Sequence, residues 1–393
     1  MATVKYSYGQ QFDLEITVNE RHHLDIYPSK IRIKRKYNSA TSVTLEFNSV
    51  EVLDILHIGS QLDFYGSRKF GGGTGGIGPF QIKTSVKIMR PTETGCVVVC
   101  ADRISDMATS ELVDYKANDY VGDDLMCVAK SVFDTMAYDY SPAATQTGDQ
   151  NFINTTYIES VGCGIPVSKE MNIWGLQTKK QFIDNLFSFM YKKIIGTGDT
   201  EYPNNFTWLP YRYQITHQNY IQFYYTDNFH KYPRSILTLN DQDSDMITGG
   251  GIIGQIDMSQ SFNSITAVSK KDSSVYALYE DVNSIAKHGR NSKKITIDSI
   301  SKDYMEFIAM QIVERSKEPS YSYNFSVRHN EFFSVGDPIT VQAPSLGVDV
   351  TLPITEIEIM IGNGSVETKI NLGEKMLPVE QLVGLISAHT PNI

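Results

Sequence analysis

Period-two alternation dominates both ends of the chain. In 43–47, Val43, Leu45 and Phe47 alternate with Thr44 and Glu46, the pattern of a half-buried strand. The run 30–36 places Lys30, Arg32, Lys34 and Lys36 on one face, with Ile31 and Ile33 on the other. Further strands are expected at 82–89, 96–101, 219–225, 339–342, 354–361 and 365–372. Between the two ends the apolar spacing turns helical. Asp123 is a candidate N-cap for a helix over 124–136, with Leu125, Val128, Ala129, Val132 and Met136 on one stripe. Thr178 and Gln181 have capping-box spacing and open a helix through 192, faced by Phe182, Leu186, Phe189 and Met190. A third helix fits 302–316, with Tyr304, Ile308 and Ile312 in register and Pro319 preventing its continuation. Polar and glycine-rich stretches mark loops at 141–151, 196–205 and 242–251.

The two β-rich ends resemble each other in order. Each has an alternating strand and an apolar-glycine turn, Ile58-Gly59-Ser60 in one and Val335-Gly336-Asp337 in the other. A strand follows the next loop, and Thr84–Met89 aligns by eye with Thr355–Met360. Another apolar strand closes each copy, at 96–100 and at 366–372. The pattern predicts an α+β, β-rich fold: two related small antiparallel β-barrel domains with an α/β middle region. Three chains carrying two such barrels each would make a near-sixfold ring and cover sheet edges that otherwise invite aggregation.

Composition narrows the function classes. A chain of 393 residues with 41% apolar residues has room for two or three domains with sizeable cores. The longest apolar stretch, 96–101, is far short of a membrane span, and the N-terminal residues show no signal segment. Cys96, Cys100, Cys127 and Cys163 lack CxxC spacing, so neither a redox motif nor a zinc site is expected. A net charge of −10 argues against a general nucleic-acid binder. The 23 tyrosines and 18 phenylalanines suit strands, where flat rings pack on a pleated surface.

Candidate chemistry is sparse. Gly71–Gly76 and Gly249–Gly254 both satisfy G-x-G-x-x-G, but neither opens a helix, so they are expected to be loops rather than dinucleotide sites. The first is a candidate interface loop that changes shape on assembly. His22 and His23 near Asp25 suggest a metal, yet adjacent strand residues point to opposite faces. Asp102, Asp106, Glu111 and Asp114 form an acidic cluster suited to paired-carboxylate chemistry, with turn and cap roles as the expected ones. Cys96 and Cys100 read as small core residues on one strand face. The basic strand 30–36 reads as a solvated face, with a subunit contact or passing DNA as alternatives. No catalytic, cofactor-binding or metal-binding residue is therefore assigned, and the chain is expected not to be an enzyme.

The order of motifs resembles the baseplate hub, or tail-tip hub, proteins of tailed phages and contractile injection systems. The likeness rests on IGSQLDFYG, GPFQIKTSVKI, VVVCADRISDMATSELVDYKANDY, VGDDLMCVAKSVFDTM and TKKQFIDNLFSFM, then GQIDMSQSFNSITAVSKKD with its turn at Asn263. It continues through DYMEFIAMQIVERSKEP, YSYNFSVRH and FFSVGDPITVQ. The resemblance implies a first tube-like domain at 1–105, a mixed α/β middle domain at 106–232, a second tube-like domain with an inserted α/β segment at 233–376, and a tail at 377–393. It further implies a homotrimer in the virion tail baseplate, assembled in the host cytoplasm, with a tail tube protein above and surrounding baseplate proteins. A spike would be a separate chain below. Tape-measure protein and DNA would pass through the channel, whose lumen, if negative, would repel DNA. Two rival readings are a tail-associated glycan hydrolase using Glu111 and Asp114, and a carbohydrate- or receptor-binding β-protein using Trp174, Trp208 and the Tyr-rich stretch 211–225.

Overall fold

The computed structural model describes residues 6–8, 12–19, 22–68, 80–136, 152–153, 162–167, 173–195, 206–215, 221–225, 237–240, 247–259, 261–317, 320–327, 335–336, 338–344, 348–362, 365–373, 379 and 383. The chain forms two compact units: Met1–Ile252 with Asn324–Leu372, and Ile253–Tyr323 with Gly373–Ile393. The fold is β-rich α+β.

The first unit begins with β1 (Tyr6–Tyr8), β2 (Phe12–Val18), β3 (His22–His23), β4 (Pro28–Lys36), β5 (Ser42–Phe47), β6 (Gln61–Arg68), β7 (Phe80–Pro91) and β8 (Cys96–Ala101). A short helix α1 (Val52–Ile55) lies between β5 and β6, and α2 (Arg103–Ala108) follows β8. The alternation read from sequence is the observed burial: Val43, Leu45 and Phe47 face the core, as do Cys96, Val98 and Cys100. Asp102 stops β8 and starts α2, because its carboxylate accepts from Ile104 N at 2.9 Å. The expected boundary at residue 105 therefore falls inside α2.

The middle of the chain contributes β9 (Val113–Tyr115), α3 (Leu125–Asp134), β10 (Phe152–Ile153), β11 (Gly175–Gln177), α4 (Lys179–Phe189), β12 (Tyr191–Ile195), β13 (Phe206–Ile215) and β14 (Ile221–Tyr225). The sheet order is β10-β14-β13-β12, and β9 pairs with β11 as a two-stranded ribbon. Its core is aromatic. Phe187 lies 4.9 Å from the Tyr213 ring and 5.2 Å from that of Phe223. Two helix ends differ from the sequence reading. The N-cap of α3 is Asp124 rather than Asp123, since the Asp124 carboxylate accepts from Met126 N and also from the backbone N–H groups of Cys163, Gly164 and Ile165. Helix α4 has the expected capping box but ends at Phe189, because Met190 turns extended and the chain enters β12. Strand β13 was not legible because Pro210 reads as a breaker, yet Tyr211, Tyr213 and Ile215 alternate into the core. Next come β15 (Leu237–Asn240) and β16 (Ile247–Asp257).

The second unit holds a three-stranded sheet of order β18-β17-β19, formed by β17 (Ser264–Ser269), β18 (Tyr276–Glu280) and β19 (Ser292–Ile297). Helices α5 (Val282–His288) and α6 (Lys302–Ser316) complete it. Helix α6 has the bounds read from sequence, capped by Ser301, and buries Tyr304, Ile308 and Ile312 against Ile265, Ala267 and Ile295. Asn263 ties the turn before β17: its amide donates to Gly289 O at 2.7 Å, and its Oδ1 accepts from Asn291 N at 2.8 Å.

The chain closes with β20 (Ser320–Val327), β21 (Pro338–Ala343), β22 (Val348–Gly362) and β23 (Ser365–Leu372). The largest sheet runs β1-β2-β6-β7-β8-β5-β4-β22-β23-β20-β16, with β21 on β22 and β15 on β21. This order contains the repeat. Strands β6-β7-β8-β5-β4 are matched by β21-β22-β23-β20-β16. Both turn glycines have φ +91°, and Gly59 N donates to Val86 O as Gly336 N donates to Ile354 O. A bulge follows each acceptor, between Val86 and Ile88 and between Ile354 and Glu356. These marks equate Val86 with Ile354 and Thr84 with Leu352, which corrects the Thr84–Thr355 alignment by three residues. The similar wording of the two strands is a coincidence of alternation, whereas hydrogen bonds and bulges fix the register.

Candidate functional site

The feature that organises the sheet is the seam where the first repeat meets the second. Strand β4 pairs antiparallel with β22 from Lys30↔Gly362 to Lys36↔Glu356. Ile31 and Ile33 face Ile361 and Ile359 on the buried side. On the outer side Lys34 and Arg32 reach acids diagonally across the β4–β22 ladder, and Lys30 meets the acid directly opposite it on β5. Lys34 Nζ lies 2.8 Å from Glu356, Arg32 pairs with Glu358, and Lys30 Nζ lies 3.1 Å from Glu46 on β5. The Glu358 carboxylate raises the Arg32 pKa further through this hydrogen bond. Lys30, Arg32 and Lys34 of the basic strand thus face solvent with an acid of the same chain beside each. A shallow groove of about 450 Å³ over the seam is lined by Lys30, Arg32, Glu46, Met360, Ser365 and Glu367. Its charges are mixed, so it favours neither anions nor cations.

Beneath the seam lies a residue that sequence reading passed over. Arg35 has the same parity as Ile31 and Ile33 and is buried with them, a signal available in the alternation itself. Burial lowers its pKa to about 10, and the Asp102 charge opposes that fall. Asp102 is also fully buried, and desolvation lifts its carboxyl to about 6 despite bonds from Thr41 N at 2.7 Å and Ile104 N. The two buried charges, one on β4 and one at the β8–α2 junction, attract each other.

The other candidates have local roles. Asp106 pairs with Lys87, Glu111 is exposed, and Asp114 lies 3.6 Å from Lys116. Asp102 is closed off from solvent, so it cannot meet a substrate alongside them. Burial pushes the Cys100 thiol up to about 12, leaving it a core residue. His22 and His23 form β3, opposite Val18 and Thr17; their side chains lie outside the described residues. No group of three or more His, Cys, Asp or Glu suited to a metal occurs among the described residues. Gly249–Gly254 is strand rather than loop, within β16; at Gly254 a Cβ would come within 3.0 Å of the Tyr323 ring, so close packing explains that glycine. Gly71–Gly76 lies outside the described residues. Tyr211, Tyr213 and Phe223 are buried, and Trp174 packs half-buried near Tyr120 and Phe182, so these rings are core and not an open sugar platform. The Trp208 side chain lies outside the described residues. No helix among the described residues is long and apolar enough to cross a membrane.

Comparison with known proteins gives a fold likeness. No family model and no curated protein sequence matches the chain. Among solved structures, the tail protein from Neisseria meningitidis MC58 superposes with a TM-score of 0.55 at 11% identity, covering 95% of this chain and 99% of that one. The 43 kDa tail protein of prophage MuSo2 from Shewanella oneidensis gives 0.55 at 11% identity, covering 94% and 97%. A chain of the lidded Francisella PdpA–VgrG complex gives 0.50 at 9% identity, covering 95% of this chain and 54% of that one. The chain therefore shares, nearly end to end, the fold of two tail proteins.

Proposed function

We propose that the chain is a structural hub protein of a phage-like tail baseplate. Three copies form a ring that joins a sixfold tail tube to a trimeric central spike and encloses the channel for tape measure and DNA. The observation that carries this reading is the repeat: one chain presents the same strand order, turn glycine and bulge twice, so three chains present six copies. The fold likeness to two tail proteins, one of them from a prophage, over nearly the whole chain supports it. The work assigned to the chain is mechanical, namely symmetry adaptation and load-bearing through large buried interfaces. It requires no catalytic group.

Electron microscopy of the purified protein, and of the particles that contain it, tests the proposal. The expected result is a closed three-chain ring with both repeats facing the channel. A monomer at all concentrations whose repeats point apart would sink it. The charge hypothesis is tested on the same assembly: a strongly positive lumen potential would contradict a wall that repels DNA.

A further inference from the structure

The three-stranded sheet of the second unit is bare on one side. Its inner face carries Ile265 and Ala267 on β17, Ala277 on β18, and Ile295 and Ile297 on β19, all packed in one core with α6. The residues between them form the outer face, and the registers set them side by side. Tyr276, Val268 and Thr296 share one row, and Leu278, Thr266 and Lys294 share the next. Tyr276 is 59% exposed and Leu278 46%, and Val268 lies half-buried beside them. Singly exposed apolar residues are ordinary on any surface; here two adjoin and flank a third. A sheet with a parallel pair is ordinarily covered on both faces. Strands β17 and β19 are such a pair, yet among the described residues of this unit no element lies over the outer face as α6 lies over the inner one.

The charges on this side are unequal once the internal pairs are set aside. Glu280, one row along from Leu278, is taken up by Arg290 and by the Ser264 hydroxyl, which donates at 2.8 Å. Asp298 lies 3.4 Å from Lys271. Lys294, within the face, and Lys270, just past the end of β17, have no ion-pair partner among the described residues. We propose that the outer face docks a partner protein through an amphipathic helix whose apolar stripe is flanked by acidic residues. A helix is the covering layer this sheet already takes on its other side. The apolar residues stand on β18 and β17 and the free cation on β19. Strands are about 5 Å apart and a helix is about 10 Å wide, so a helix seated over the first two strands brings its flanking carboxylates to Lys294. Apolar contact supplies the affinity, and the lysines set orientation and reject basic partners. The inference holds or fails independently of the hub reading.

The test uses the full chain and a fluorescein-labelled amphipathic peptide with a leucine stripe flanked by glutamates, read by fluorescence anisotropy. Its twin carries lysines in place of the glutamates. The glutamate peptide is expected to bind the wild type, and the lysine twin is not. Leu278→Asp should abolish binding. Lys294→Glu should weaken it about fivefold at low salt, remove much of its salt dependence and admit the lysine twin. Circular dichroism with thermal melting checks that each variant stays folded, and Lys294→Glu keeps the test open should Leu278→Asp unfold. No binding of the glutamate peptide, equal binding of the two peptides, or binding that survives a folded Leu278→Asp would overturn the inference. So would a wild-type oligomer that Leu278→Asp converts to monomer, because the face would then be a contact between copies. A three-chain ring that still binds the peptide would uphold both readings, and peptide binding by a chain that forms no ring would remove the hub reading alone.

Discussion

The second halves of β22 and β7 hold the same place in the two repeats and meet opposite circumstances. One is sealed inside the chain by β4, with Glu356 and Glu358 answered by Lys34 and Arg32. The other carries Ile88 and Arg90 on an edge without a strand partner among the described residues. The backbone device is conserved between them: left-handed glycine, hydrogen bond and bulge. What differs is surface chemistry. The same scaffold thus carries different outward residues in its two copies, because ladder geometry sets position and the outward residues set what is accepted.

The largest way to disturb the comparison is at the exit of the first repeat. There β8 runs into a helix capped by buried Asp102, whereas β23 ends at Gly373 with φ +86°. Asp102→Ala removes the cap, the Thr41 bond and the countercharge of buried Arg35, and should cost about 3 to 5 kcal/mol in denaturant unfolding. A loss below about 1 kcal/mol would mean that the pair is not a structural linchpin of the first repeat.

A pH series sharpens the same point. The folded Asp102 carboxyl is raised to about 6 from 3.8, so the folded chain holds this proton more tightly than the unfolded chain. Its favourable contribution is full below pH 4 and is lost as pH rises through 6. The change should be about 2 to 3 kcal/mol. Asp102→Asn should flatten that part of the stability profile; an unchanged slope would assign it to other groups.

The turn glycines test the equivalence directly. Gly59 and Gly336 share φ +91°, a conformation that L-residues adopt at a cost. Alanine at either should lose about 1 to 2 kcal/mol, and by similar amounts. A difference larger than the experimental spread would break the match between the repeats.

The smallest effect belongs to the seam. Glu356→Gln and Glu358→Gln should each cost at most about 1 kcal/mol, diminishing with added salt, because their cationic partners are close to half-exposed. Larger losses that ignore salt would show that the seam depends on these acids for register rather than for charge.

Much of this was legible in advance. The bounds of α6, the capping box at Thr178 and strands β8 and β23 follow from local periodicity and cap chemistry. So does the recurrence of strand, glycine turn and strand. The errors have local causes. Asp123 and Asp124 are equal as caps until the 163–165 loop selects Asp124. Pro210 hid β13, and the glycines of β16 read as loop because they lack the side chains that signal alternation.

By itself the sequence determined which residues face inward, where helices begin, and that the chain repeats. Only the tertiary structure decided the register of the repeats, the partnership of β4 with β22, and the burial of both Arg35 and Asp102. The physical reason is that alternation of period two is a property of one strand alone. It states which face is buried and leaves open which neighbour lies alongside and at what offset. Those choices are made by long-range hydrogen bonds and bulges, and the edge they leave open on β7 is equally a product of the whole sheet.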